Sequence, residues 1–259
     1  MAEPALVLEG VSRRFGEVVA VDEVSLAIAP GELLVLLGGS GSGKTTTLKL
    51  INRLIEPSGG RVLLAGEDTG AIPGHLLRRR IGYVFQGVGL FPHMRVGENV
   101  GVTPRLLGWE PERIRARTDD FLDLVELPAA EFSERWPHEL SGGQAQRVGV
   151  ARALAAEPEL VLFDEPFGAL DPLTRLRLQA RIQAIRAELG FAAVFVTHDM
   201  HEALALADRI AVMHRGRLQQ LATPAELLAA PANDYVAALM ETVSGPARLL
   251  ERLRGEAGA

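Results

Sequence analysis

Apolar positions along the chain change period several times, and each change marks an element. From Leu6 to Ile28 apolar and polar residues alternate, broken at Arg13-Arg14-Phe15-Gly16, which predicts half-buried strands of an antiparallel sheet. Arg61-Val62-Leu63-Leu64-Ala65 adds another strand. Glu32-Leu33-Leu34-Val35-Leu36-Leu37 and Leu160-Val161-Leu162-Phe163 are different: their apolar runs do not alternate, as expected where a parallel sheet covers both faces of a strand. Ile81-Gly82-Tyr83-Val84-Phe85 reads as an alternating strand and Ala193-Val194-Phe195-Val196-Thr197 as one more. Helical periodicity runs over Lys44 to Leu54, Pro111 to Val125 and Gln144 to Ala156. Asp171-Pro172 predicts an N-cap with proline in the first turn, and Asp199-Met200-His201-Glu202 and Thr223-Pro224-Ala225-Glu226 read as capping boxes. The elements add up to an α/β chain, and the absence of an obvious linker predicts one domain with lobes.

Candidate chemistry begins where the first buried run ends. Gly38-Gly39-Ser40-Gly41-Ser42-Gly43-Lys44-Thr45 fits GxxxxGK[ST], followed by Thr46. Glycines let the backbone fold around an anion and present N–H groups without a Cβ in the way, and the next helix turns its positive end to the same point. Lys44 is then expected to reach the β and γ phosphates of a nucleoside triphosphate, and Thr45 to set its hydroxyl on Mg²⁺. A glycine turn can also join strand to helix and bind nothing, but the flanking strand and helix favour the phosphate loop.

The acidic half of such a site is Asp164-Glu165, delivered by the run from Leu160 to Phe163 to the C-terminal edge of the sheet, where open parallel sheets bind ligands. Asp164 is expected in the Mg²⁺ shell, through water in the usual case. Glu165 is free to act as base on the attacking water.

Composition narrows the partners. The chain has 259 residues, no cysteine and a formal charge of −6, so neither a disulfide framework, nor thiolate chemistry, nor a polyanion such as nucleic acid as main partner is indicated. The N-terminus Met1-Ala2-Glu3-Pro4 has neither the basic region nor the apolar core of a signal peptide, and no run approaches the ~20 apolar residues of a spanning helix. A cytoplasmic protein is expected. Basic clusters occur at Arg78-Arg79-Arg80 and along Arg175-Leu176-Arg177-Leu178-Gln179-Ala180-Arg181, and the second, with apolar residues between its charges, reads as a solvated helix face. His75, His93, His138, His201 and His214 show no metal-ligand spacing.

One further sequence decides the family reading: Leu140-Ser141-Gly142-Gly143-Gln144, about twenty residues before Asp164-Glu165. Phosphate loop, Gln86, this pentapeptide, Asp164-Glu165, Gly168-Ala169-Leu170-Asp171 and His198, in that order, resemble the nucleotide-binding subunits of ATP-binding cassette (ABC) transporters from about Leu6 to Leu239. The resemblance implies a RecA-like core, an N-terminal antiparallel β lobe, a helical signature lobe at about 88–157, one ABC ATPase domain over 1–240 and a tail over 241–259. It implies ATP and Mg²⁺, with adenine on Phe15, phosphates on Gly38 to Thr46, and the metal between Thr45, Gln86 and Asp164. Glu165, His198, Gln86 and Lys44 would be catalytic. Ser141, Gly142, Gly143, Gln144 and Asp171 would complete the nucleotide site of a second ATPase subunit, expected as a homodimer set head to tail.

Within that family, Ile51-Asn52-Arg53-Leu54 and Gly89-Leu90-Phe91-Pro92-His93 are similar to the ATPase subunits of importers for glycine betaine, carnitine, choline and related quaternary amines. A transmembrane permease and an extracytoplasmic solute-binding protein follow as partners, with the ATPase peripheral on the inner face of the membrane and Leu90-Phe91-Pro92 as the permease dock. Two departures stand out: Gly39 sits where proline is common, and the chain reaches Ala259 without the paired CBS-type module of many relatives. An importer for an amino acid or oxyanion, or a non-transport ATPase of this fold acting on DNA or ribosomes, stays open. The short span from Gln86 to Leu140 speaks against the coiled-coil insertion of the DNA-clamping kind.

Overall fold

The computed structural model describes residues 3–87, 89–168 and 170–243. Among these residues ten strands form two sheets. The alternating segments β1 (Leu6–Phe15) and β2 (Val18–Ile28) pair antiparallel and continue through β4 (Gly59–Leu64) and β5 (Glu67–Asp68) in the order β2-β1-β4-β5. The apolar runs build the second sheet from β3 (Leu33–Leu37), β6 (Ile81–Val84), β7 (Leu160–Asp164), β8 (Ala192–Thr197), β9 (Arg209–His214) and β10 (Arg217–Ala222), in the order β10-β9-β3-β8-β7-β6. All its pairings are parallel except β9 with β10.

Two apolar cores explain why the central runs do not alternate. Leu33, Val35 and Leu37 point into one core together with Val161, Phe163 and Phe195, whereas Leu34 and Leu36 point into the other with Leu160, Leu162 and Val196. Every residue of β3 and β7 is therefore buried, since successive side chains of a strand face opposite sides. The same reason corrects the expectation of an alternating strand at 81–85. All four residues of β6 are buried, Ile81 and Tyr83 in one core and Val84 in the other. A Cβ at Gly82 would lie 2.4 Å from the Ala153 carbonyl oxygen, so the helix carrying Ala153 rests directly on this strand.

Helices fill the connections. α1 (Lys44–Ile51) follows β3, α2 (Gly74–Arg80) precedes β6, and among the described residues five α-helices lie between β6 and β7: α3 (Val96–Val100), α4 (Val102–Leu106), α5 (Pro111–Leu124), α6 (Ala129–Phe132) and α7 (Gly142–Leu154). Then come α8 (Pro172–Leu189), α9 (Met200–Leu206), α10 (Pro224–Ala229) and a helical segment at 234–243. The expected tail lies, from 244 on, outside the described residues. Among the described residues no helix is long and apolar enough to cross a membrane.

Two cap expectations differ in outcome. Thr223 and Glu226 exchange both bonds of a capping box. At Asp199 the side chain caps α9, but Glu202 does not return to the Asp199 N–H, because the Thr197 hydroxyl has taken that donor at 2.9 Å. Nor is α8 simply solvated along its arginines. Arg181 donates through Nε to the Leu124 carbonyl, and Arg147 donates to those of Val125 and Glu126, so cations meet the orphan carbonyls at the end of α5.

Aromatic packing under the sheet edge is dense. The Phe163 and Phe195 rings lie 5.6 Å apart and those of Phe167 and Phe195 5.2 Å apart, all fully buried. Phe163→Ala is expected to cost about 3–5 kcal/mol. A denaturation midpoint moved by less than half the shift that loss implies would mean that the site rests on other packing.

Candidate nucleotide site

Register puts the candidate residues side by side. In the parallel ladders Leu37 faces Thr197, Val196 faces Asp164, and Phe163 faces Val84, so β3, β8, β7 and β6 end at one level. The residues just beyond these ends are the glycine loop after β3, His198 after β8, Glu165 after β7 and Gln86 two residues after β6.

The glycine loop is held from behind by the rest of the fold. Gly43, at the N-cap of α1, has φ 100°, and a Cβ there would come within 2.5 Å of the Ala20 carbonyl oxygen. Ser42 accepts from the Gly216 N–H at 3.0 Å, and Gly216 accepts from Asp22 N at 2.9 Å. The β1–β2 hairpin is thus tied to the loop. Phe15 is the last residue of β1, paired with Val18, rather than part of a polar loop, and it stands half exposed with the Arg13 guanidinium 4.5 Å from its ring centre.

Lys44 is buried, and its ammonium donates to the carbonyls of Gly38 at 2.7 Å and Gly39 at 2.9 Å, with Ser42 Oγ at 3.4 Å. Burial pulls its pKa down, and the charges of Glu165 and Asp164 oppose that shift. Gly39, Ser40 and Gly41 form the exposed rim, while Thr45 and Thr46 are partly buried on the first turn of α1.

The carboxylates divide. Asp164 is buried; its Oδ1 accepts from Thr45 Oγ1 at 3.1 Å and its Oδ2 from the Tyr83 hydroxyl at 3.1 Å. Burial, then the neighbouring Asp164 charge, pushes the Tyr83 phenol far above its ordinary pKa, so it stays a donor. Glu165 turns away from that pair. Its φ is 45°, a left-handed conformation uncommon for a residue with a side chain, and its N–H donates to the Val196 carbonyl at 3.1 Å. Glu165 Oε2 lies 3.2 Å from His198 Nδ1 and accepts from Gln86 Nε2 at 3.4 Å. Gln86, Glu165 and His198 are therefore one cluster, beside the Thr45–Asp164 pair.

The pentapeptide residues stand apart from this cluster. Ser141 caps α7 in a reciprocal box with Gln144, donating its N–H to Gln144 Oε1 at 2.9 Å and accepting from Gln144 N at 3.3 Å. Among the described residues no hydrogen bond links Ser141, Gly142, Gly143 or Gln144 to the glycine loop. A Cβ at Gly142 would meet nothing within 4 Å, so this chain's own packing does not require glycine there. Asp171 caps α8 through Leu173 N and Thr174 N, and hydrogen bonds from Thr174 hold its carboxyl below the ordinary pKa.

The expected apolar loop presents less than its sequence promises. Leu90 packs against the core, while Phe91 is exposed beside a cleft of about 360 Å³ that it lines with Leu54, Phe85, Leu106 and Arg152. Among the described residues no group of three or more His, Cys, Asp or Glu side chains could hold a metal ion, and His214 stacks on Tyr235 at 3.9 Å. Sequence reading missed Tyr83 and Tyr235. The hydroxyl of Tyr235, on the segment 234–243, accepts from Gly39 N at 3.4 Å, a bond that proline at 39 could not make.

A family model described as ABC transporter matches residues 21–168. The chain belongs to the ABC transporter family. This ABC chain is 51% identical over 234 residues to the osmoprotectant import ATP-binding protein OsmV of Salmonella typhimurium, covering 90% of this chain and 60% of that protein. It is 50% identical over 247 residues to the glycine betaine/carnitine/choline transport ATP-binding protein OpuCA of Bacillus subtilis, covering 95% and 64%. The chain thus spans about three fifths of the length of these curated relatives. Among solved structures it resembles a dimeric post-hydrolysis state of the ATP-binding cassette MJ0796 bound to ADP and Pi, with TM-score 0.76, 33% identity, and coverage of 85% of this chain and 98% of that one. The ABC ATPase fold, with its RecA-like sheet, antiparallel β lobe and helical segment before β7, is therefore the fold of this chain.

Proposed function

We propose that this chain is the ATP-hydrolysing subunit of an ABC importer for quaternary-amine osmoprotectants such as glycine betaine, carnitine or choline. The observation that carries the hydrolytic part is the cluster of Gln86, Glu165 and His198 at aligned strand ends, beside a buried lysine in a glycine loop. The substrate class is supported by half-identity to relatives named for osmoprotectant and glycine betaine/carnitine/choline transport.

Each residue has a task that its surroundings suit. Gly38 to Thr46 wrap the phosphates, and Lys44 exchanges loop carbonyls for phosphate oxygens. Phe15, exposed at a hairpin tied to the loop, offers a face for adenine. Thr45 Oγ1, Asp164 Oδ1 and the Gln86 amide oxygen are hard oxygen donors of the kind Mg²⁺ takes, and the Thr45–Asp164 pair stands ready at 3.1 Å. Mg²⁺ bound there would neutralise charge on the phosphate oxygens. Glu165 takes the proton of the attacking water, held by Gln86 and His198 on the same carboxylate oxygen.

A second copy completes the site. Ser141, Gly142, Gly143 and Gln144 have no hydrogen bond to their own glycine loop, and Gly142 leaves open space beside the start of α7. A close approach from outside explains a glycine that internal packing does not. The head-to-tail homodimer, with Asp171 near the shared face, follows from that reading, and the likeness to a dimeric ADP-bound cassette supports it. On the membrane side, the cleft beside Phe91 receives a cytoplasmic segment of a permease, which places the ATPase peripherally on the inner face. A solute-binding protein on the outer side completes the system.

Reconstitution tests the whole reading. With permease, binding protein and a quaternary amine, whose cation such receptors hold against aromatic faces, ATP hydrolysis should rise. Phe91→Asp should abolish the rise and leave basal hydrolysis. Stimulation by an amino acid or oxyanion alone would move the chain to a different importer class, and stimulation persisting in Phe91→Asp would move the dock elsewhere.

A further inference from the structure

His198 has an unusual mechanical problem. Its side chain is 64% exposed, and among the described residues its one ion pair is with Glu165, itself the group it is meant to serve. An imidazole so lightly packed takes its position from the backbone on either side of it.

That backbone is braced. Thr197, the buried last residue of β8, donates through Oγ1 to Glu202 Oε2 at 2.6 Å and accepts from Asp199 N at 2.9 Å, so one hydroxyl closes the turn around His198. Asp199 Oδ1 accepts from the N–H groups of His201 at 2.8 Å and Glu202 at 3.4 Å, fastening the turn to α9. Glu202 is 6% exposed. It has no part in the proposed hydrolysis, and a buried carboxylate without a structural task would be costly.

Its task is visible in its second partner. Arg175 NH1 lies 3.6 Å from Glu202 Oε1 and 3.3 Å from Asp199 Oδ2, and Arg175 NH2 donates to the Leu170 carbonyl at 3.5 Å. Leu170 immediately precedes Asp171, the cap of α8. One guanidinium therefore joins the turn that carries His198 to the segment that leads into α8.

We propose that Glu202 and Arg175 are positioning residues for His198, fixing the turn from Thr197 to Asp199 and making its placement depend on the segment ending at Leu170-Asp171. The inference rests on the reading of His198 as a working group in hydrolysis. Neither residue is among those assigned above to phosphate, adenine, metal or water. A displacement of about 1 Å at a reacting group can cost on the order of 100-fold, and the brace is what prevents it.

A double-mutant cycle with the full chain separates positioning from general stability. Glu202→Ala is expected to lower kcat about 10–100-fold with the KM for ATP changed by less than about twofold. Glu202→Gln keeps an oxygen that can accept from Thr197, and it should recover much of the loss. It also carries the test if the alanine variant does not fold. In a His198→Ala background Glu202→Ala should cost almost nothing further, because the group it positions is gone. The same proportional loss in both backgrounds, or a loss confined to KM, would overturn the brace while leaving His198 its role. Native turnover by His198→Ala alone would remove the role and the brace together.

Discussion

Purified Glu165→Gln protein should bind ATP with near-native affinity and turn it over about 10²–10⁴-fold more slowly, the usual worth of general base catalysis, or roughly 3–5 kcal/mol of barrier. The geometry explains why so small a change should do so much. Glu165 holds a left-handed backbone conformation at the edge of a buried strand, and its Oε2 lies near both His198 Nδ1 and Gln86 Nε2. An amide in that place can still receive hydrogen bonds but cannot take the proton. The variant should also accumulate as an ATP-bound dimer, seen by light scattering or gel filtration. Hydrolysis within about threefold of native in a phosphate assay would dismiss Glu165 as the base.

The second large effect is recovery rather than loss. Lys44→Ala and Ser141→Arg chains should each fail to dimerise with ATP, the first for want of a buried ammonium in the loop, the second because an arginine fills the space beside the start of α7. Mixed, they should form heterodimers with one site carrying both substitutions and one carrying neither, as two-fold symmetry dictates. ATP-dependent dimerisation and hydrolysis should then return in the mixture. A mixture as inactive as its components, or normal ATP-dependent dimers of either variant alone, would argue that each chain completes its own site.

Elements that depend on local pattern were legible before the fold was known, and lateral contacts were not. The unbroken runs at Leu33–Leu37 and Leu160–Phe163 announced strands covered on both faces, and the strand ends put Lys44, Asp164 and His198 near one edge. At 81–85 the pattern misled, because Gly82 mimics a polar position yet is small to let α7 lie on the strand. Tyr83 and Tyr235 carried no signal, Arg175 read as solvated, and Glu202 read only as half of a capping box. Tyr83, Tyr235 and Arg175 each meet a residue far along the chain, as Tyr83 meets Asp164 and Arg175 meets Asp199, and such pairs exist only once the chain has folded. Arg175 and Arg181 looked solvated for the same reason: the Asp199 carboxylate and the Leu124 carbonyl that they meet come from elsewhere in the chain.

The common level of the four strand ends bears on which changes this chain can tolerate. Side chains of a strand alternate between its faces, so one residue inserted within β7 would carry Asp164 to the opposite side and pull Glu165 out of line with His198, although no functional residue had been replaced. An insertion at the exposed Leu107–Gly108 turn moves nothing in that row. Length, within the sheet, is thus guarded as strictly as identity, and variation should gather in the connections away from that edge.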